Sequence, residues 1–434
     1  MSLTHERHVT LPPFLSPDRS RAPSTRRQLP SPLTVTLFAT LLLAPLEGYL
    51  LNVNGNLGKV APGAFLLTWV LSRLWWRRPL GRAHLVLGAV AGLTLSVLLS
   101  TLANPGNEFG LFYLGRWLPF LVLTIALVDV LSTDVHPNVA MTALVLGAVG
   151  AGAGSLFSFI VLGDARATGP LSDPNDLAYV LTAAVPIVLV RPGVGRGRAA
   201  LASAAALAVL VAGSAATVSR GGAMAAGAVL AWVTLRRLVP ARLLAAGLAL
   251  VSVLGLAVLL VASSQVETAL GQKSNIAATN IDTRTFRWEA ALRMLADHPV
   301  LGVGPGGFRP MYVEYSRMAE LDELTPVTHE MYLEVAAENG VLGLTFFVGA
   351  ILAAACSAEV AIRRLKATGA RADDPLLVAA YCAQGSLLAV CISSSFLSEE
   401  YYMPLWAAVA ASAAIELRSR SLGRRPARAL AVTA

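Results

Sequence analysis

Long apolar stretches dominate this chain, and each is long enough to cross about 30 Å of hydrocarbon as a helix. About twelve of them are separated by polar loops. They lie at residues 32–52, 61–76, 83–103, 110–132, 138–162, 176–190, 199–218, 221–239, 241–263, 331–356, 376–395 and 402–417. Because 55% of the 434 residues are hydrophobic and only 14% are charged, a soluble core could not hide this much apolar surface. The predicted fold is therefore an all-α polytopic membrane protein.

Basic residues recur in alternate loops, and this pattern predicts the orientation in the membrane. The stretches WWRRPLGR, RPGVGRGR, RRLVPAR and IRRLKATGARADD are basic, as are the two termini. Since cytoplasmic loops are enriched in Lys and Arg, we expect both ends of the chain in the cytoplasm. The net charge of +8 is thereby explained by orientation, and no nucleic-acid partner is predicted. Membrane lipids are the expected surroundings.

The loop between the ninth and tenth predicted helices is much longer than the others. The chain divides into a disordered basic tail at 1–31, helices one to nine at 32–263, an external loop at 264–330, helices ten to twelve at 331–417 and a basic tail at 418–434. A loop of this length is typically functional. It also carries basic residues on the side where the orientation rule disfavours them: Lys273, Arg284, Arg287, Arg293, Arg309 and Arg317. An anionic ligand would explain them.

Within that loop, NIDTRTFRWEAALRMLADHP predicts an amphipathic helix with Asp282 as its N-cap. Arg284 and Arg287 fall one turn apart near its start. Free N–H groups at a helix N-terminus together with two guanidinium groups would seat a phosphate. The alternative is that these arginines contact lipid headgroups.

The stretch GVGPGGF, from Gly302, contains a literal G-x-G-x-x-G. A dinucleotide-binding site would need a preceding strand and a βαβ unit, and neither fits an external loop between membrane helices. We therefore expect these glycines only to turn the chain after the loop helix.

Two shorter external loops also contain isolated arginines. Arg220 follows Thr217 in TVSRGGA, and Arg166 begins RATGPLSDPNDLA. Either guanidinium could bind an anionic substrate, or Arg220 could simply reach the headgroups. Asp173 and Asn175 are further substrate-binding candidates, although capping of the next helix explains them equally well.

His329 closes the long loop and begins the tenth predicted membrane helix in THEMYLEVAAENGVLGL. Neutral imidazole is a competent proton acceptor at physiological pH, so His329 could act as a general base beside an anion held by the arginines. Alternatively it is a structural histidine at the interface. Glu330, Glu334 and Glu338 share one helical stripe, and we expect them to pair with the arginines or to orient this helix.

These stretches in this order resemble the O-antigen ligase family and its polymerase relatives. The resemblance covers roughly residues 160 to 350, namely RATGPLSDPNDLA, SRGG, RTFRW, ADHPVLGVGPGGF and THEMYLEVAAENGVLGL. It implies a GT-C-like membrane domain and a metal-independent, inverting glycosyltransferase without a cofactor. His329 would be the general base, and Arg220 and Arg284 would be the catalytic arginines. The family usually has Asn where this chain has Glu330.

The resemblance also implies the partners of the reaction. The donor would be a glycan on undecaprenyl diphosphate, and the acceptor a hydroxyl of lipid A-core at the periplasmic face of the inner membrane. Substrate contacts are expected from Arg166, Arg287, Asp173, Asn175, Tyr332, Glu330 and Glu338. Three alternatives stay open: a polymerase of repeat units, a ligase to a protein or cell-wall acceptor, and a transporter of lipid-linked sugars.

Overall fold

The computed structural model describes residues 30–75, 77, 82–191, 197–242, 245, 247, 249, 283–320 and 326–423. All regular secondary structure in these ranges is helical, which confirms the all-α prediction for them. The predicted helix at 241–263 falls mostly outside the described residues.

Most helices begin and end within a few residues of the predicted apolar stretches. Helices α1 (Pro32–Leu43) and α2 (Glu47–Val53) are joined by a 3₁₀ turn at Ala44–Leu46 and form the first stretch. The next seven are α3 (Leu57–Leu74), α4 (Leu85–Ala103), α5 (Gly110–Thr133), α6 (Pro137–Ile160), α7 (Pro174–Val190), α8 (Gly197–Ala216) and α9 (Arg220–Leu235). Then follow α10 (283–297), α11 (Phe308–Tyr315), α12 (Met331–Ala367), α13 (Pro375–Ser394) and α14 (Met403–Gly423).

Seven helical segments in the described ranges are long and apolar enough to cross a membrane. They are Pro32–Val53, α4, α5, α6, α8, α12 and α13. Helices α7 and α9 are apolar but shorter. The chain is therefore a helical membrane protein, whereas the number of twelve spans stays a prediction.

Helix α13 lies at the centre of the bundle and packs against α7, α9, α12 and α14. Beside it, three aromatic side chains from α5, α12 and α14 meet edge to face. The ring of Trp117 lies 6.2 Å from that of Phe347 and 6.4 Å from that of Trp406, and the last two rings are 6.0 Å apart. Close packing of this kind holds membrane helices together, because lipid tails are as apolar as the side chains.

Basic side chains gather at one end of the bundle, as the alternating loops predict. Arg73 at the end of α3 bridges Asp129 at 2.7 Å and Asp134 at 2.8 Å near the end of α5. Arg364 in the last turns of α12 binds Glu416 of α14 at 2.7 Å. We call this the basic end. The loops that contain the candidate arginines lie at the opposite end, and the side of the membrane that each end faces stays a prediction.

The sequence predicts one continuous helix from residue 331, but α12 is broken at Gly340, where φ is +66° and ψ is −172°. The chain from Pro299 to Gly304 fills the break with backbone hydrogen bonds. Val303 N–H donates to Ala337 O at 3.0 Å, Gly304 N–H to Glu338 O at 2.9 Å and Val341 N–H to Pro299 O at 2.8 Å. The acidic residues before the break therefore lie in a short helix packed on protein.

Replacing Gly340 by alanine should destabilise the protein strongly. A Cβ atom there would lie 2.3 Å from the carbonyl carbon and oxygen of Val300, and this combination of φ and ψ, which essentially only glycine adopts, adds about 1–3 kcal/mol of strain. Gly349→Ala in the same helix is the matched control, since a Cβ there has no neighbour within 4 Å. In thermal unfolding of the detergent-solubilised protein, we expect Gly340→Ala to lower Tm by several degrees and Gly349→Ala to leave it unchanged or higher. Equal Tm values for the two variants would contradict this description of the break.

Candidate active site

Among the helices that begin at the end of the bundle opposite the basic end, α7, α9 and α12 each have a capping side chain. Asp173 accepts a hydrogen bond from Asn175 N–H at 2.7 Å at the start of α7. Ser219 accepts one from Gly222 N–H at 3.3 Å at the start of α9. Glu330 accepts one from Leu333 N–H at the start of α12. Since helix N-termini carry partial positive charge, this arrangement favours an anion here.

Arg166 connects two of these helix starts. Its Nε donates to Thr217 O at 3.0 Å, and its Nη2 donates to Asn175 Oδ1 at 3.0 Å. Burial lowers the pKa of Arg166 and the nearby Asp173 raises it, but a guanidinium keeps its charge at physiological pH. Arg166 and Asn175, both predicted to contact substrate, therefore bind each other and fix the loop around them.

Arg220 and Arg284 differ from Arg166 in having no hydrogen bond or ion pair to any residue that the structure describes. Arg220 is exposed and Arg284 is half-buried. The pKa of Arg284 is lowered by burial first, then by the charges of Arg287 and Arg220, while Asp173 raises it. The two cations are therefore close enough to repel each other. An anionic group that accepts from both would relieve this repulsion.

Arg287, one turn beyond Arg284 in α10, is engaged inside the protein and only 7% exposed. Its Nε and Nη2 donate to the two carboxylate oxygens of Glu320 at 3.1 and 3.2 Å, and its Nη1 donates to Val327 O at 3.4 Å. Burial raises the pKa of Glu320, but the hydrogen bonds from Arg287 and Tyr312 lower it by more than burial raises it. The pKa of this carboxyl group therefore lies below its ordinary value. Arg287 was predicted to contact substrate, but to do so it would have to give up its ion pair with Glu320.

His329 is half-buried. The carbonyl groups of the two residues before it, Val327 and Thr328, accept hydrogen bonds from side chains of α10. Arg287 contacts Val327 O, and Trp288 Nε1 donates to Thr328 O at 3.1 Å. When protonated, His329 also contributes to lowering the pKa of Glu320, after the larger effects of Arg287 and Tyr312. The same short helix therefore carries Arg284 and holds the segment that ends in His329.

Three other predicted substrate contacts are occupied by the protein itself. Glu330 caps α12, Tyr332 Oη donates to Cys391 O at 3.1 Å, and the buried Glu338 accepts from Phe308 N–H at 3.4 Å. The i, i+4 spacing predicts that Glu330, Glu334 and Glu338 share one helical face, but Glu330 precedes the helix as its cap and has an extended backbone. Glu334 binds Thr328 and Ser398, whereas Glu338 faces Phe308 in the chain that fills the break at Gly340.

Sequence reasoning missed several polar residues at this end. Glu320 binds both Arg287 and the hydroxyl of Tyr312. Glu399 and Glu400, in the loop between α13 and α14, are buried, and burial raises the pKa of each well above its ordinary value. The acidic stretch AELDEL, which shares the long loop with the arginines, is the signal that could have identified Glu320.

The chain is thus a helical membrane protein with a candidate anion-binding site at one end of its bundle. Two arginines without described partners, Arg220 and Arg284, lie at this end, and the helix that carries Arg284 holds the segment that ends in His329. Residues 204–348 match the family model described as O-antigen ligase, and this match confirms the resemblance of the chain to that family. The matched range contains Arg220, Arg284 and His329, whereas Arg166 precedes it. A search of the curated proteins finds no match.

Proposed function

We propose that this protein is an O-antigen ligase. It transfers a glycan from undecaprenyl diphosphate to a hydroxyl of lipid A-core at the periplasmic face of the inner membrane. The observation that carries the proposal is the pair formed by Arg220 and Arg284, two neighbouring cations without a described partner, beside the segment that ends in His329. The match to the O-antigen ligase family supports the same chemistry.

In the proposed reaction, the acceptor oxygen attacks the anomeric carbon of the donor sugar from the face opposite the diphosphate. A new carbon–oxygen bond forms, the bond from the anomeric carbon to the diphosphate oxygen breaks, and the configuration inverts. His329 takes the proton of the acceptor hydroxyl. Arg220 and Arg284 hold the diphosphate and stabilise the negative charge that it gains as it leaves.

Two guanidinium groups supply the positive charge that a divalent cation would otherwise bring to the leaving group. Arg284 is half-buried, and charges act more strongly there than in bulk water. Arg166 and Arg287 contribute indirectly, because their hydrogen bonds fix the loops around the site. We therefore propose that transfer proceeds without a metal.

The test is a transfer assay with purified protein, an undecaprenyl-diphosphate glycan and lipid A-core in the presence of EDTA. We expect glycan on lipid A-core, with inverted configuration, and unchanged activity for Arg317→Gln, which removes an exposed cation from the same external loop. A strict requirement for Mg²⁺ would contradict the role given to the arginines.

Offering other acceptors in the same assay separates the alternatives. Glycan repeat units test for a polymerase, and protein or cell-wall fragments test for other ligases, since all of these would share the donor chemistry. Movement of the donor across liposomes without any transfer product would indicate a transporter. Preference for lipid A-core is the result that the proposal predicts.

A further inference from the structure

The backbone of His329 adopts a conformation that few side chains tolerate. Its φ is +51°, in the left-handed region that costs a residue other than glycine about 1–2 kcal/mol. Such a conformation persists only where neighbouring contacts enforce it, and it is often found at functional sites.

Thr328 is fully buried and is held from the side of the bundle by Glu334. Its N–H lies 3.3 Å and its Oγ1 2.9 Å from Glu334 Oε2, and the hydroxyl of Ser398 binds the same oxygen. Thr328 Oγ1 also lies 2.8 Å from Glu330 O, while Glu330 N–H donates to this Oγ1 at 3.1 Å. The side chain of Thr328 thus spans the backbone on both sides of His329.

Helix α10 holds the same segment from the other side. Arg287 donates to Val327 O and Trp288 to Thr328 O. Both carbonyl groups that precede His329 are thereby fixed, and little backbone freedom is left to place its imidazole differently. Glu334 is only 5% exposed and accepts from three groups of the protein. Its position leaves it no contact with substrate.

We propose that Glu334 and Thr328 are positioning residues for His329: the buried carboxylate fixes Thr328, and Thr328 holds the left-handed backbone that directs the imidazole towards the acceptor hydroxyl. This inference rests on the proposed function, because it assigns to His329 the role of general base. It goes further by naming two residues that act on the reaction without touching the substrate.

The first test compares Thr328→Val with Thr328→Ser, which keeps the hydroxyl. Thr345→Val is the control, because Thr345 lies in α12 and its hydroxyl donates to the carbonyl of Val341 within that helix. We expect Thr328→Val to lower kcat by roughly 30- to 100-fold, with KM for the donor within about twofold of wild type. Thr328→Ser should restore most of the activity, and Thr345→Val should behave as wild type. Wild-type kcat for Thr328→Val would overturn the inference.

The second test concerns the carboxylate. Glu334→Gln keeps an oxygen that can accept from Thr328, whereas Glu334→Ala removes it. The glutamine variant should therefore retain more than about a fifth of the wild-type kcat, and the alanine variant should match Thr328→Val. An unchanged kcat for Glu334→Ala would overturn the role of Glu334.

A double-mutant cycle separates positioning from a general structural effect. If Thr328 acts through His329, adding Thr328→Val to His329→Ala should cause no further loss of the residual activity. A further loss of 30-fold or more in the double variant would show that Thr328 supports the site by another route and would overturn the inference. Full activity of His329→Ala alone would reject the proposed mechanism itself, so the two failures are distinguishable.

Discussion

Replacing His329 by alanine is expected to reduce kcat for glycan transfer by roughly 10²- to 10⁴-fold, the range that a general base contributes. The loss should fall on the chemical step, because the diphosphate contacts of Arg220 and Arg284 remain. KM for the donor should therefore stay close to that of wild type. In the wild type, activity should fall at acidic pH because a protonated imidazole cannot accept a proton. This fall should be absent from the pH–rate profile of His329→Ala.

The matched control for this variant is His298→Ala. His298 directly follows α10. Within the described residues, its backbone N–H donates to Met294 O and its carbonyl accepts from Gly302 N–H. It should therefore keep wild-type kcat. If the two histidine variants were equally active, His329 would not be the base. Quantifying product by mass spectrometry after single-turnover reactions would separate chemistry from product release.

The second large effect is expected from the two arginines that have no described partners. Arg220→Ala and Arg284→Ala should each lower kcat/KM for the donor by roughly 10²- to 10³-fold, since each removes a fixed donor to the charge of the leaving group. Neither change should alter the affinity for the acceptor. Equal donor kinetics in wild type and variants would place these side chains outside the reaction.

Stability measurements distinguish these arginines from their neighbour Arg287. Removing Arg284 relieves repulsion from Arg287 and Arg220, so its Tm should be unchanged or higher. Arg287→Ala leaves the largely buried Glu320 without its ion-pair partner and should lower Tm. A lower Tm for Arg284→Ala than for Arg287→Ala would contradict this assignment of roles.

Sequence reasoning succeeded where the signal was local. Apolar stretches predicted most of the helices, because the length of a membrane helix can be counted from consecutive hydrophobic residues. Arg284 was selected because it is a basic residue in a loop where the orientation rule disfavours basic residues. Asp173 is a similar case: its position before Pro174 and Asn175 predicts a cap, and it forms one.

Contacts between distant segments escaped prediction. The partner of Arg287 lies 33 residues along the chain, and the break at Gly340 depends on a loop that docks from about 40 residues before it. Spacing placed Glu334 on a helical stripe, but only the fold shows that its carboxylate binds Thr328 and Ser398. The glycines of GVGPGGF were expected to turn the chain, and most of them lie in turns, yet their docking on α12 had no local signal.

The central claim is that Arg220 and Arg284 together hold the diphosphate of the donor. Equilibrium binding of undecaprenyl diphosphate to the detergent-solubilised protein in EDTA tests it most directly, with Arg317→Gln as control. We predict that the double variant Arg220→Ala/Arg284→Ala binds at least about 100-fold more weakly than wild type, since two charge-assisted contacts are lost. The control should remain within about twofold of wild type, and a double variant that binds as tightly as wild type would contradict the account.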